Sequence, residues 1–223
     1  MHILNTLAHR IKLCSEEVDN RNRSNLVLFS QGSFLLAILI TILSFVLPYY
    51  YSLLVPHLAL FVYTSVLLVV AKLCQKKQFK YIRALQYLVF APLMIGGVLV
   101  GTALEPTRPG VTIILFLCIL PMFIIDNPWK VISYQLTFAA LFVACAYHYK
   151  PQAVFMSDML YFPVYLAYIL GVNIYALMEK VTGVEHYLLV RKAAERDALT
   201  GLFNRTYGET KVNRLLQEQT PEF

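Results

Sequence analysis

Gln135 interrupts one long apolar stretch, Tyr165 and Asn173 a second and His57 a third, and Glu105 and Arg108 flank a proline-rich turn. These side chains can bind a ligand. Amide, imidazole and phenol groups donate and accept hydrogen bonds, while Glu105 and Arg108 offer opposite charges to a polar or zwitterionic molecule. Each also has a plainer reading, as an interhelical hydrogen bond for the amides and as a solvated ion pair for Glu105 and Arg108. His57 and His148 invite a haem or copper site, but no Cys or Met stands in register with them, so no metal set is expected. Cys14, Cys74, Cys118 and Cys145 form no C-x-x-C or Cys/His cluster and read as free thiols.

The elements that must position these groups follow from composition. Of the 223 residues, 58% are hydrophobic and 14% charged, and the mean hydropathy is +0.60. A soluble domain runs at roughly 45–50% apolar and about 25% charged. A cytosolic enzyme, a nucleic-acid binder and a disulfide scaffold are therefore poor explanations. The pattern predicts an all-α, polytopic membrane bundle.

A spanning helix needs about 20 apolar residues, and six stretches meet or approach this: Leu26 to Leu47, Leu53 to Leu73, Leu85 to Leu104, Val111 to Ile125, Val131 to Tyr147 and Met159 to Met178. The fourth and fifth are short, and Asp126-Asn127-Pro128 between them reads as a tight turn between two packed helices, against the alternative of a kink in a re-entrant hairpin. Loop Lys and Arg set orientation, because cationic loops stay in the cytoplasm. One side collects Arg10, Lys12, Arg21, Arg23, Lys72, Lys76, Lys77, Lys80, Arg83, Lys130 and the seven from Lys180 to Arg214, whereas the other has Arg108 and Lys150. Both termini are thus expected in the cytoplasm, with outer loops too brief for a folded domain. Gln135 and Asn173 then lie in the inner halves of spans five and six, and His57 and Tyr165 in the outer halves of spans two and six.

Residues 1–25 hold no signal peptide. Ile3, Leu7, Ile11, Cys14 and Val18 share one helical face, which predicts an amphipathic helix at the inner interface, against the alternative of a frayed tail. Tyr49, Tyr50, Tyr51, Tyr147 and Tyr149 read as an interfacial aromatic belt. Gly97-x-x-x-Gly101 permits close helix approach, by default inside the bundle.

Beyond residues 26–178, the six-helix domain, composition changes. Residues 179–196 are charged and lack proline, and Leu177, Val181, Val184 and Leu188 stand at 4-3-4 spacing. Such a stripe predicts a signalling helix continuing the last span as a parallel two-stranded coiled coil, and hence a homodimer. The seam lasts about two heptads, and a lone helix packed on its own chain is the alternative.

Next comes Asp197-Ala198-Leu199-Thr200-Gly201-Leu202-Phe203-Asn204-Arg205. Asp197 can end the incoming helix, Gly201 permits a turn, and Leu199 and Leu202 can anchor the following helix. This D-x-L-T-G-L-x-N-R pattern resembles the opening of the GGDEF domain of bacterial diguanylate cyclases, which join two GTP molecules into cyclic di-GMP. The resemblance covers Arg196 to Phe223. It implies that the turn couples the signalling helix to the catalytic domain, that Asp197 pairs with Arg205, and that Thr200 and Asn204 belong to the same coupling element. The family's catalytic motif, metal-binding carboxylates and guanine contacts would all fall after residue 223, so 197–223 is expected to be a truncated start of that domain. No catalytic residue and no cofactor is expected in this chain, with GTP and Mg²⁺ reserved for the catalytic domain.

The expected function is thus a membrane-embedded sensory input domain. It would bind a small or lipophilic ligand through some of His57, Glu105, Arg108, Gln135, Tyr165 and Asn173, and regulate a cyclase through a dimeric linker. Lipid and that ligand are its expected partners, nucleic acid is not. A small six-span transporter or channel is the alternative, with Pro92, Pro121 and Pro163 as places where helices can break. A histidine-kinase input module would need a phosphoacceptor such as His186, but the Asp197 to Arg205 pattern favours the cyclase.

Overall fold

Apolar residues at helical spacing, with few internal breakers, form long helices here. The computed structural model describes residues 1–47, 54–195, 203, 204, 208 and 212. Seven α-helices lie among them: α1 His2–Leu13, α2 Ser15–Val46, α3 Leu54–Lys76, α4 Ile82–Leu99, α5 Val111–Ile119, α6 Pro128–Tyr149 and α7 Gln152–Ala194. A π-helical turn, Val100–Leu104, extends α4, and a 3₁₀ turn, Leu120–Phe123, extends α5. No β-sheet is present among the described residues. The chain forms two compact units, Met1–Val181 and Thr182–Phe223, whose boundary falls within α7.

Five helices, α2, α3, α4 with its π turn, α6 and α7, are long and apolar enough to cross a membrane. The all-helical, membrane-type bundle expected from composition is thus present. The fourth expected span is shorter than the rest, an apolar helix of Val111–Phe123. Much apolar surface faces outward, as at Leu35, Val62, Leu88 and Val164, which suits lipid rather than water.

α2 and α3 pack as an antiparallel pair, shown by Thr41 Oγ1 donating to the His57 carbonyl and by Phe34 stacked on Phe61. The core of the first unit lies among α2, α4, α5 and α6, with Phe90, Met94, Ile113, Leu117 and Phe142 fully buried and Phe162 and Ile169 added from α7. Gly97 and Gly101 make their close approach inside this core. A Cβ on Gly97 would stand 2.6 Å from the Phe116 ring, and one on Gly101 would stand 3.5 Å from the Gly110 Cα. Small residues here let α4 and α5 meet.

Two of the three prolines at which a helix could break do not break it. α4 runs through Pro92 and α7 through Pro163. Only Pro121 changes the helix type, where α5 tightens into its 3₁₀ turn. The amino-terminal segment also differs from the expected division at residue 25, since α2 begins at Ser15 and continues into the apolar stretch. Its first turns and α1 are docked rather than frayed: Leu7, Ile11 and Val18 are buried, and the Trp129 indole donates to Asn5 Oδ1 at 3.1 Å. Ile3, on the same expected face, stays exposed.

Candidate functional site

The two buried amides meet at one atom. Proline has no N–H, so Pro121 cannot return a helical hydrogen bond to the carbonyl four residues earlier, that of Leu117. Two side chains fill the gap. Gln135 Nε2, from α6, and Asn173 Nδ2, from α7, each donate to the Leu117 oxygen at 3.0 Å. A carbonyl has two lone pairs, so one exposed by proline can join three helices. Both amides are almost fully buried, Gln135 at 1% and Asn173 at 5% exposure.

A crevice of about 10 Å³ lies beside this clasp, walled by Pro128, Val131 and Ile132 of α6 and by Ile174 and Leu177 of α7. Gln135 and Asn173 complete its lining. The buried side-chain atoms without a hydrogen-bond partner include Asn173 Oδ1 and Gln86 Oε1.

A second knot holds α7 at its other end. Lys150 Nζ donates to Asp158 Oδ2 at 2.5 Å and to the Arg108 carbonyl at 2.8 Å, while the Gly110 N–H donates to Asp158 Oδ1 at 3.3 Å. The Lys150 and Asp158 side chains are 0% and 8% exposed, and the ammonium lies 5.6 Å from the Phe142 ring centroid. Gly110 is required there, because a Cβ on it would fall 2.4 Å from Phe142 Cζ. Two charges this deep persist because each is paired and further hydrogen-bonded.

At the opposite end, the segment after α5 is held by side chains of α2 and α4. Asn22 exchanges two 2.8 Å bonds with the Ile125 backbone, Nδ2 to the carbonyl and Oδ1 from the N–H, as a neighbouring strand would. Gln86 Nε2 donates to the Phe123 carbonyl at 3.0 Å. Arg83 binds Asp19 at 2.6 Å and approaches Asp126 at 3.6 Å, and Lys130 approaches Asp126 at 3.7 Å. Asn127 then caps α6 by accepting from the Trp129 N–H at 3.0 Å, with Pro128 at the first helical position.

Of the residues singled out from sequence, Gln135 and Asn173 come together, and Glu105 pairs with Arg108 at 3.1 Å on a partly exposed turn. His57 stays apart from both, its Nδ1 bonded to Ser44 Oγ on α2. Tyr165 is 47% exposed and faces away from the core. Leu177 and Val181, half of the expected seam, are buried within the first unit, so that face is covered without a second copy. Val184 is also buried and Leu188 half-buried. Asp197, Leu199, Thr200, Gly201, Leu202 and Arg205 lie outside the described residues. Asn204 is described, and its N–H donates to the Glu195 carbonyl at 2.9 Å.

Sequence reasoning missed Lys150 with Asp158, the Asn22 and Ile125 pairing, and the Leu117 carbonyl. Only the first had a visible signal, an acid at the head of an apolar span eight positions after a lysine. No group of three or more His, Cys, Asp or Glu able to hold a metal ion occurs among the described residues. No protein-family model, curated protein or solved structure matches the chain.

Proposed function

We propose that this chain is the membrane-embedded input module of a diguanylate cyclase, in which a ligand in the bundle alters the position of α7 and α7 carries that change to a GGDEF domain. The observation that carries the reading is α7 itself. One helix of 43 residues holds Asp158 of the outer knot and Asn173 of the Leu117 clasp, then continues into the charged stretch that precedes the D-x-L-T-G-L-x-N-R pattern. At 1.5 Å per residue it is about 64 Å long, twice the hydrocarbon thickness of roughly 30 Å. A helix of that reach is a mechanical link between membrane and cytoplasm.

Further support comes from Asn204, whose bond to Glu195 brings the chain back to the end of α7, as the turn implied by the family resemblance would. Six crossings put both termini in the cytoplasm, in keeping with the lysines and arginines. The short fourth crossing is long enough when its irregular tail is included. Nine α-helical and four 3₁₀ residues rise about 21 Å, and an extended segment from Ile124 to Asn127 adds at most about 13 Å. The Asn22 amide satisfies the Ile125 backbone there, as buried irregular chain requires.

Because Leu177 and Val181 are covered, dimerisation in this reading uses the remaining, exposed faces of α7 and the GGDEF domains rather than the whole 4-3-4 seam. A ligand acts only through different affinity for two positions of α7. The test joins this chain to an intact GGDEF domain and measures cyclic di-GMP in cells. Leu188→Pro, or two residues inserted after Leu188, is expected to abolish or lock regulated output. Output that stays regulated in both variants overturns the reading.

A further inference from the structure

The Asn173 amide is used on one side only. Its Nδ2 serves the Leu117 carbonyl, whereas Oδ1, on a residue 95% buried, has no donor. In a chain that spans lipid no bulk water replaces the missing partner. The adjoining crevice, about 10 Å³, is the size of a single water or hydroxyl group. Its walls carry no charged side chain, so a charged head group would enter without a counter-ion. Ile132 and Ile174 are half-buried, and an alkyl chain can lie against them.

From the orphaned acceptor, the size of the space and the neutral walls, we propose that the crevice between α6 and α7 binds the hydroxyl group of a neutral, long-chain alcohol that arrives through the lipid. The O–H donates to Asn173 Oδ1 and the chain lies along Ile132 and Ile174. An occupant there sits beside the clasp that ties α7 to Leu117, while the Lys150 and Asp158 knot stays untouched, so α7 pivots about its outer end. That consequence rests on the proposed sensor function, whereas the binding itself does not.

The test uses the full chain in vesicles of phosphatidylethanolamine and phosphatidylglycerol with a dodecanol that carries a photoreactive diazirine. Saturable labelling of α6 and α7 peptides around Ile132 and Ile174 is expected, competed by dodecanol and not by dodecane or dodecanoate. Asn173→Leu removes the acceptor, and Ile174→Trp fills the space while leaving the amide bond to Leu117 in place. Asn173→Leu is expected to lower labelling about tenfold, the worth of one hydrogen bond, and Ile174→Trp to abolish saturable labelling. Equal competition by dodecane, full labelling in Ile174→Trp, or no saturable labelling, as for a crevice that holds only water, overturns the site. The cyclase fusion separates the two ideas. Dodecanol that labels the crevice without changing cyclic di-GMP keeps the site and counts against the coupling, whereas output that responds to the helix break with no labelling keeps the coupling and removes the site.

Discussion

The two attachments of α7, one in its first turns and one midway along it, use opposite chemistry. The first is a buried ion pair, Lys150 with Asp158, whose oxygens and ammonium also bond the Gly110 N–H and the Arg108 carbonyl. The second is neutral, two amides on a single carbonyl, with one amide oxygen left over. Breaking a buried ion pair from one side is costly because a lone charge stays behind. Exchanging one neutral hydrogen bond for another costs little. The first attachment is therefore the costlier of the two to break and the second the cheaper.

The largest effect is expected from Asp158→Ala, which strands the Lys150 ammonium. It should lower stability by about 3–5 kcal/mol, read by thermal unfolding in detergent, with Lys150→Met in the same chain restoring most of the loss. If Asp158→Ala alone is silent, the ion pair is not the costlier attachment. Gly110→Ala comes next, since its Cβ would lie 2.4 Å from the Phe142 ring. A loss of about 1–3 kcal/mol is expected, relieved in part by Phe142→Leu.

At the Leu117 clasp, Asn173→Ala should cost about 0.6–1.7 kcal/mol, the range for interhelical hydrogen bonds in membranes. Pro121→Ala sharpens the comparison. It gives the Leu117 carbonyl a helical partner, so the Asn173→Ala loss should shrink in that background, and a double-mutant cycle measures the coupling. Purely additive losses would detach the clasp from the proline. The smallest effect belongs to Arg108→Ala, because its side chain is 44% exposed beside Glu105. About 0–1 kcal/mol is expected, and a larger loss would shift weight in the Lys150 and Asp158 knot from the Arg108 carbonyl to its guanidinium.

Helical periodicity and hydropathy made the bundle legible, because each long helix carries its own apolar stretch and the pattern is local. Boundaries were less so. α2 extends back to Ser15 through polar residues that sequence alone places outside the span, since Asn22, Asp19 and Arg23 are bonded to groups far along the chain. Gln135 and Asn173 were legible as polar groups at depth, yet their partner was not, because an orphaned carbonyl has no residue type of its own. Lys150 counted toward orientation, and its real neighbour depends on how α7 folds back against the turn at Gly110.

Amino-acid order by itself determined which segments are helical, which are apolar enough for lipid, and where a charged stretch follows them, all of which depend on residues near one another in the chain. Only the tertiary structure decided that Leu117 is the meeting point of α5, α6 and α7, that Asp158 is paired with Lys150, and that Leu177, Val181 and Val184 of the 4-3-4 seam are buried. Hydrogen bonds and buried charges are settled by three-dimensional proximity, and no local pattern records which carbonyl a distant amide will find.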